Sequence, residues 1–259
     1  MRNLLLRSQA PLLRQLSSDR TVLAFDYDGT LAPIVARPEE AGLRERTRRL
    51  LTEAARLYPC LVISGRSRSD LQRRLRGLGL RALVGNHGLL PSGRRPPLGS
   101  WALELERRLG PLGVVIERKE LSVAVHYRGA PRKRAARRAA LAAARSLAGV
   151  RLLPGKQVVD VLPRGAASKG RALRRAVARL GGRRALYLGD DRTDEDVFAL
   201  DWPGLVSVRV GVRRGSRARY FLRRQSDVDR LLAVLCGLRR ATARVGGRSG
   251  TTRRRPRGE

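Results

Sequence analysis

At 259 residues and 42% hydrophobic content, the chain has the length and the apolar matter for one sizeable domain and a smaller second one. Its formal charge of +34 would ordinarily argue for nucleic acid. Yet four of the 56 basic residues are lysine and 52 are arginine, scattered beside abundant alanine, leucine, glycine and valine; that profile fits GC-rich codon usage better than a binding footprint, and 4% aromatic content offers little for stacking bases.

In chain order, residues 1–16 read as an amphipathic lead-in helix, because Arg7 and Arg14 break the leucine-rich run and no small-residue cleavage site follows. A strand is expected at 21–26, a helix at 43–57, a strand at 60–63, a helix at 69–75 and a strand at 82–85. The middle differs. Strands at 114–116, 122–127, 151–153 and 158–162 surround an alanine-rich helix near 132–147, with Pro154 and Gly155 marking a turn. Alternation then returns with a helix at 168–180, strands at 185–189 and 205–208, and a helix at 227–238; Ser168 and Ser226 suit N-cap positions.

An α/β protein is therefore expected, with a Rossmann-like parallel-sheet core built from residues 1–91 and 165–238 and an inserted α+β cap at 92–164. Residues 239–259, with Arg253, Arg254 and Arg255 and almost nothing to bury, read as a disordered basic tail. The apolar runs are strand-sized, far below the ~18 residues that span a bilayer, so no membrane contact is expected. Cys60 and Cys236 lack metal-ligand spacing and read as buried thiols in a reducing compartment, which favours the cytoplasm.

Seven of the 22 acids fall in two short segments: Asp26 and Asp28, then Asp190, Asp191, Asp194, Glu195 and Asp196. Each segment follows an apolar strand, and strand ends of an open parallel sheet converge on one crevice. Carboxylates crowded there repel one another unless a cation stands between them, and hard oxygen ligands of this kind suit Mg²⁺. Either motif alone would pass for solvated turn acids; together they predict a site.

The run Phe25-Asp26-Tyr27-Asp28-Gly29-Thr30-Leu31 resembles the first motif of the haloacid dehalogenase superfamily of phosphohydrolases, with Ser64, Lys169 and Gly189-Asp190-Asp191 with Asp194 in matching order. The resemblance implies Asp26 as nucleophile, Asp28 as general acid and base, and Ser64 and Lys169 as stabilising groups. It further implies the Asp26 carboxylate, the Asp28 backbone carbonyl and Asp190 as metal ligands, with Asp191 and Asp194 supporting the metal or its waters.

Over about residues 20–235 the chain is similar to trehalose-6-phosphate phosphatases in particular. Ser64-Gly65-Arg66, Gly85-Asn86-His87-Gly88, Glu117-Arg118-Lys119, His126-Tyr127-Arg128, Gly155-Lys156 and the segment 189–195 carry that similarity. It implies that Gly65, Arg66 and His87 lie at the substrate, that His126 belongs to the cap's structure, and that Lys156 and Asp160 meet the distal sugar. Asp160 is a departure, since family members commonly carry glutamate there, and the shorter side chain calls for a water or a small cap shift.

The expected partner is a sugar phosphate, handled by a monomer. The alternative substrates are glucosyl- or mannosyl-glycerate phosphates on the same core; a nucleic-acid-binding protein exploiting the arginine excess is the reading from another class. A degenerate, regulatory domain is disfavoured because both Asp26 and Asp28 are present.

Overall fold

The computed structural model describes residues 1–17, 20–88, 97–119, 121–155, 157–164 and 168–248. The N-terminal half of the core comprises β1 (Arg2–Asn3), α1 (Ala10–Leu16), β2 (Thr21–Phe25), α2 (Glu45–Leu57), β3 (Cys60–Ile63), α3 (Arg68–Arg74) and β4 (Ala82–Val84). The inserted part holds α4 (Leu98–Leu109), β5 (Val115–Arg118), β6 (Val123–His126), α5 (Lys133–Arg145), β7 (Val150–Pro154) and β8 (Val158–Pro163). The core resumes with α6 (Lys169–Arg179), β9 (Arg184–Gly189), α7 (Glu195–Phe198), β10 (Leu205–Val210), β11 (Tyr220–Leu222) and α8 (Asp227–Arg248).

The core sheet runs β1-β11-β10-β9-β2-β3-β4 with every pair parallel. Crossovers cover both of its faces, so its central strands are mostly apolar, with Ser207 and Arg209 of β10 as buried polar exceptions. Alternation along β2 divides the layers: Leu23 and Phe25 meet Leu51, Ala54, Leu231 and Leu235 of α2 and α8, whereas Val22 and Ala24 meet Leu173 and Val177 of α6.

The second sheet is antiparallel, in the order β5-β6-β8-β7. Val123, Val125, Val159 and Val161 pack under Trp101 and Leu105 of α4 and Ala136 and Ala140 of α5. Pairing of Glu117 with Ala124, and of Ala124 with Asp160, puts that second set on the opposite face. The period of two thus gives the cap a dry helix side and a polar cleft side.

Two expectations are corrected here. Residues 1–16 are not one helix: Leu4, fully buried, anchors a short strand against β11, and the helix begins only at Ala10, where Pro11 suits its first turn. Nor are residues 239–248 irregular, because α8 continues to Arg248; residues 249–259 lie outside the described residues. The helix's arginines find partners that a composition count misses: Arg239 lies 5.1 Å over the Tyr58 ring and donates to the Ser17 carbonyl, and Arg240 pairs with Glu53 at 2.8 Å. Deleting residues 239–259 is therefore expected to lower the thermal midpoint by a few degrees, as partly exposed contacts of ~0–1 kcal/mol each are lost. A midpoint equal to that of the full chain would show that these contacts contribute nothing.

Candidate active site

Asp26 is the first residue past β2, and Asp190 the first past the neighbouring β9. Phe25 stands beside Leu188 in that pairing, and the Asp26 amide donates to the Leu188 carbonyl at 2.8 Å, so the 164 residues of sequence between Asp26 and Asp190 vanish in one strand register. Gly29 permits the approach. It has φ 78°, and a Cβ there would lie 2.1 Å from Asp190 Oδ2.

Lys169 opens α6, whose N-cap Ser168 accepts from the Arg171 amide. Its buried ammonium lies 3.0 Å from Asp26 Oδ2 and 2.8 Å from Asp194 Oδ1. Asp194 Oδ1 also accepts from the Tyr187 hydroxyl at 2.7 Å, and Oδ2 accepts from the Asp191 amide at 2.9 Å. Burial opposes the charge on Lys169, but Asp194 and Asp26 outweigh it and raise its pKa above the usual lysine range. Burial pushes the Asp26 carboxyl well up; Lys169 works against that, while Asp194 and Asp190 reinforce it. Burial, then the charges of Asp194 and Asp191, brings Asp190 to about 7.

Such shifts mark carboxylates with too little positive charge among them. Carboxylate oxygens of Asp26, Asp190 and Asp194 lie within 4.8 Å of one another, and this hard, over-acidic donor set suits a divalent cation. Asp194 takes three donors, Lys169, Tyr187 and the Asp191 amide, which makes it the organiser of Lys169; Asp26 takes two, Lys169 and the Tyr27 amide, and Asp190 one, the Thr30 hydroxyl, so these two keep more lone pairs for a metal.

Asp28 points to Arg66, whose Nε and Nη2 donate to its two oxygens at 2.7 and 2.6 Å. Arg66 is fixed further by Asp70 at 2.8 Å and by the Tyr27 ring 5.2 Å below it. The Ser64 hydroxyl is buried at the end of β3 and accepts from the Arg66 amide at 3.2 Å. Asn86 and His87 both take left-handed φ values, 51° and 57°, and their amides donate to the Arg66 and Ser64 carbonyls. Backbone strain of this kind persists where the surroundings over-determine it. Gly65 makes room for the His87 ring, which a Cβ would meet at 2.6 Å. Both His87 ring nitrogens are buried without a hydrogen-bond partner among the described residues; Asp160 Oδ2, at 3.7 Å, is beyond reach.

A cleft of about 1450 Å³ separates this floor from the cap. From above, Asp160 accepts from Lys119 at 2.9 Å. Burial would raise the Asp160 carboxyl, but the Lys119 ammonium holds it well below the usual carboxylate range. Glu117 and His126 share a 2.8 Å hydrogen bond, which lowers the Glu117 carboxyl, and both line the cleft. Lys156 lies outside the described residues.

The structure adds participants that sequence reasoning gave no role. Lys119 and Glu117 occupy the cap face beside Asp160. Arg209, buried at the end of β10, donates to the carbonyls of Asp190 and Asp191 and pairs with Glu195 at 3.1 Å, thereby fixing the acidic loop. A lone arginine in the apolar run Leu205–Val210 was the available signal. Arg128 bonds from the cap to the Val35 and Ala36 carbonyls of the core.

Parallel sheet, strand-end aspartates and inserted cap together define the haloacid dehalogenase-like fold. The chain belongs to the trehalose-phosphatase family, whose model matches residues 24–108 and 110–221. It is 34% identical over 243 residues to a trehalose-phosphate phosphatase of Mycobacterium ulcerans, covering 86% of this chain and 59% of that protein. The counterpart from Mycobacterium tuberculosis H37Rv is 35% identical over 234 residues, at 83% and 56% coverage. The chain thus spans under three fifths of the length of these relatives. Among solved structures, the C-terminal domain of the C. albicans trehalose-6-phosphate phosphatase superposes with a TM-score of 0.72 at 24% identity, covering 88% of this chain and 96% of that one. A trehalose-6-phosphate phosphatase related protein gives 0.68 at 25% identity, with 85% and 99% coverage.

Proposed function

We propose that the chain hydrolyses trehalose 6-phosphate to trehalose and phosphate, with Asp26 as nucleophile and Mg²⁺ as cofactor. The observation that carries this reading is the floor of the cleft, where Asp26, Asp190 and Lys169 meet beneath a polar cap face. An Asp26 oxygen attacks phosphorus, the phosphorus–oxygen bond to the sugar breaks, and Asp28 supplies the proton that the departing oxygen takes. Asp28 then accepts a proton from water, which attacks the same phosphorus and frees Asp26. Lys169 and the Ser64 hydroxyl hold the phosphoryl oxygens. Arg66, which holds Asp28 before substrate arrives, meets a second anion in the incoming phosphate; released from that grip, Asp28 takes up a proton from solvent, which it then gives to the leaving oxygen. Held by the Asp26 and Asp190 carboxylates and the Asp28 carbonyl, Mg²⁺ would neutralise charge between nucleophile and phosphate. On the cap, Asp160, Lys119, Glu117 and His126 offer donors and acceptors for sugar hydroxyls, and the ring nitrogens of His87 offer more from the core.

Phosphate release from trehalose 6-phosphate, glucosylglycerate phosphate and mannosylglycerate phosphate, each with Mg²⁺ and with EDTA, tests the reading. The trehalose ester should be preferred and EDTA should silence the enzyme. Preference for a glycerate ester would overturn the substrate, and full activity in EDTA the cofactor.

The metal also sets a pH dependence. Bound Mg²⁺ requires Asp190 ionised, so below about 7 a proton competes with it. Apparent Mg²⁺ affinity should fall by up to about tenfold per pH unit there, as one proton is displaced, and level off above. Titrating Mg²⁺ at a series of pH values checks this; a flat affinity between pH 6 and 8 would mean that Asp190 holds no proton in that range and would overturn the competition.

A further inference from the structure

At the opposite end of the core sheet from Asp26 and Asp190, where β9, β10 and β11 begin, lies a second cavity of about 860 Å³. Four arginines line it: Arg20 before β2, Arg183 and Arg184 at the start of β9, and Arg219 before β11. No acidic residue stands among the described residues that line it. Arg20, Arg183 and Arg219 are exposed, and their side chains make no hydrogen bond or ion pair among the described residues. The rest of the lining is different in kind and includes Leu12 of α1, Pro203 and the half-buried Tyr220.

The scatter of arginine through this chain supplies charge everywhere, but not concavity. Here separate segments bring guanidiniums to one hollow, because β2, β9 and β11 start at the same edge of a parallel sheet. Each guanidinium presents a planar fork matched to phosphate oxygens. Like charges brought together without counter-ions repel, and a multiply charged anion removes that cost. The volume lies within the range of small-molecule sites, roughly 300–1,000 Å³. The geometry points to a second ligand site in this cavity, separate from the catalytic cleft, for a nucleotide-sized organic polyphosphate. Its phosphates would sit on Arg20, Arg183 and Arg219, and its ring against Leu12, Pro203 and Tyr220.

ATP serves as the probe, titrated calorimetrically in EDTA at about 0.15 M salt, where screening reaches ~8 Å and diffuse surface binding is weak. One ATP per chain is expected. Arg183→Glu/Arg219→Glu should weaken it at least about tenfold, two charge-assisted contacts being lost, while phosphate release from trehalose 6-phosphate persists. Arg137→Glu/Arg138→Glu, on the exposed side of α5, should change ATP binding little. Pyrophosphate should bind more weakly than ATP, since it leaves the apolar wall empty. Should the glutamate pair fold poorly, Arg183→Gln/Arg219→Gln reads the same loss with less repulsion.

Equal loss in the sheet-edge and α5 pairs would reduce the observation to bulk charge and overturn the site. So would displacement of ATP by trehalose 6-phosphate, which would put the nucleotide in the catalytic cleft. Pyrophosphate binding as tightly as ATP would remove the ring from the ligand.

Discussion

Asp26→Asn is expected to abolish phosphate release while leaving the fold intact. The amide keeps the shape and still accepts from the Tyr27 amide, which reaches Asp26 Oδ1 at 2.7 Å. It has no electron pair able to displace a sugar oxide, and it removes one charged ligand from the metal. Loss of a nucleophile from a cooperating set costs on the order of 10⁴-fold or more in kcat. Stability should move the other way. A carboxyl whose folded pKa is raised is favoured in its protonated form; its contribution is fullest below the unfolded value and is lost as pH rises through the folded one. A neutral amide escapes that loss, so without metal the variant should melt no lower than wild type at neutral pH. Residual turnover above ~10⁻³ of wild type, far more than loss of a nucleophile leaves, would remove Asp26 from its role.

Lys169→Ala should fail in both respects. Its ammonium lies between two buried carboxylates, and removing it leaves Asp26 and Asp194 facing each other in low dielectric. Breaking a buried pair by deleting one partner typically costs about 3–5 kcal/mol. A melting point lowered by many degrees, together with lost turnover, would separate Lys169 from Asp26, whose substitution removes turnover without lowering the melting point. Because the removed lysine held the site against mutual repulsion, low pH should partly restore the melting point by protonating Asp26 and Asp190. A variant as stable as wild type at neutral pH would mean that the carboxylates are not ionised together.

The meeting of Asp26 with Asp190 was legible because parallel strands deliver their ends to one edge, and both acids directly follow apolar runs. Lys169 and Ser64 were placed by order and by resemblance. Tyr187, Arg209 and Lys119 were not legible, since a single polar residue in an apolar strand, or one past a strand end, carries no period; tertiary register alone decides what it touches. Helix α4 was missed too, although its buried Trp101, Leu105 and Leu109 recur at helical spacing. The extension of α8 was hidden by arginine, whose stem packs while its head reads as charge.

The two-residue alternation of the cap strands has an evolutionary corollary. Positions that face the cap helices are bound to one another by packing, whereas Glu117, Ala124 and Asp160 form a row over the cleft that the cap's own core does not touch. Ala124, the smallest of the row, sits fully covered between the two acids, so enlarging it would push the Glu117 and Asp160 side chains, which do line the cleft. Under the proposed function, alternate positions of β5, β6 and β8 would set which sugar is accepted, while the strand ends of the parallel sheet would set the reaction, so the two could change independently.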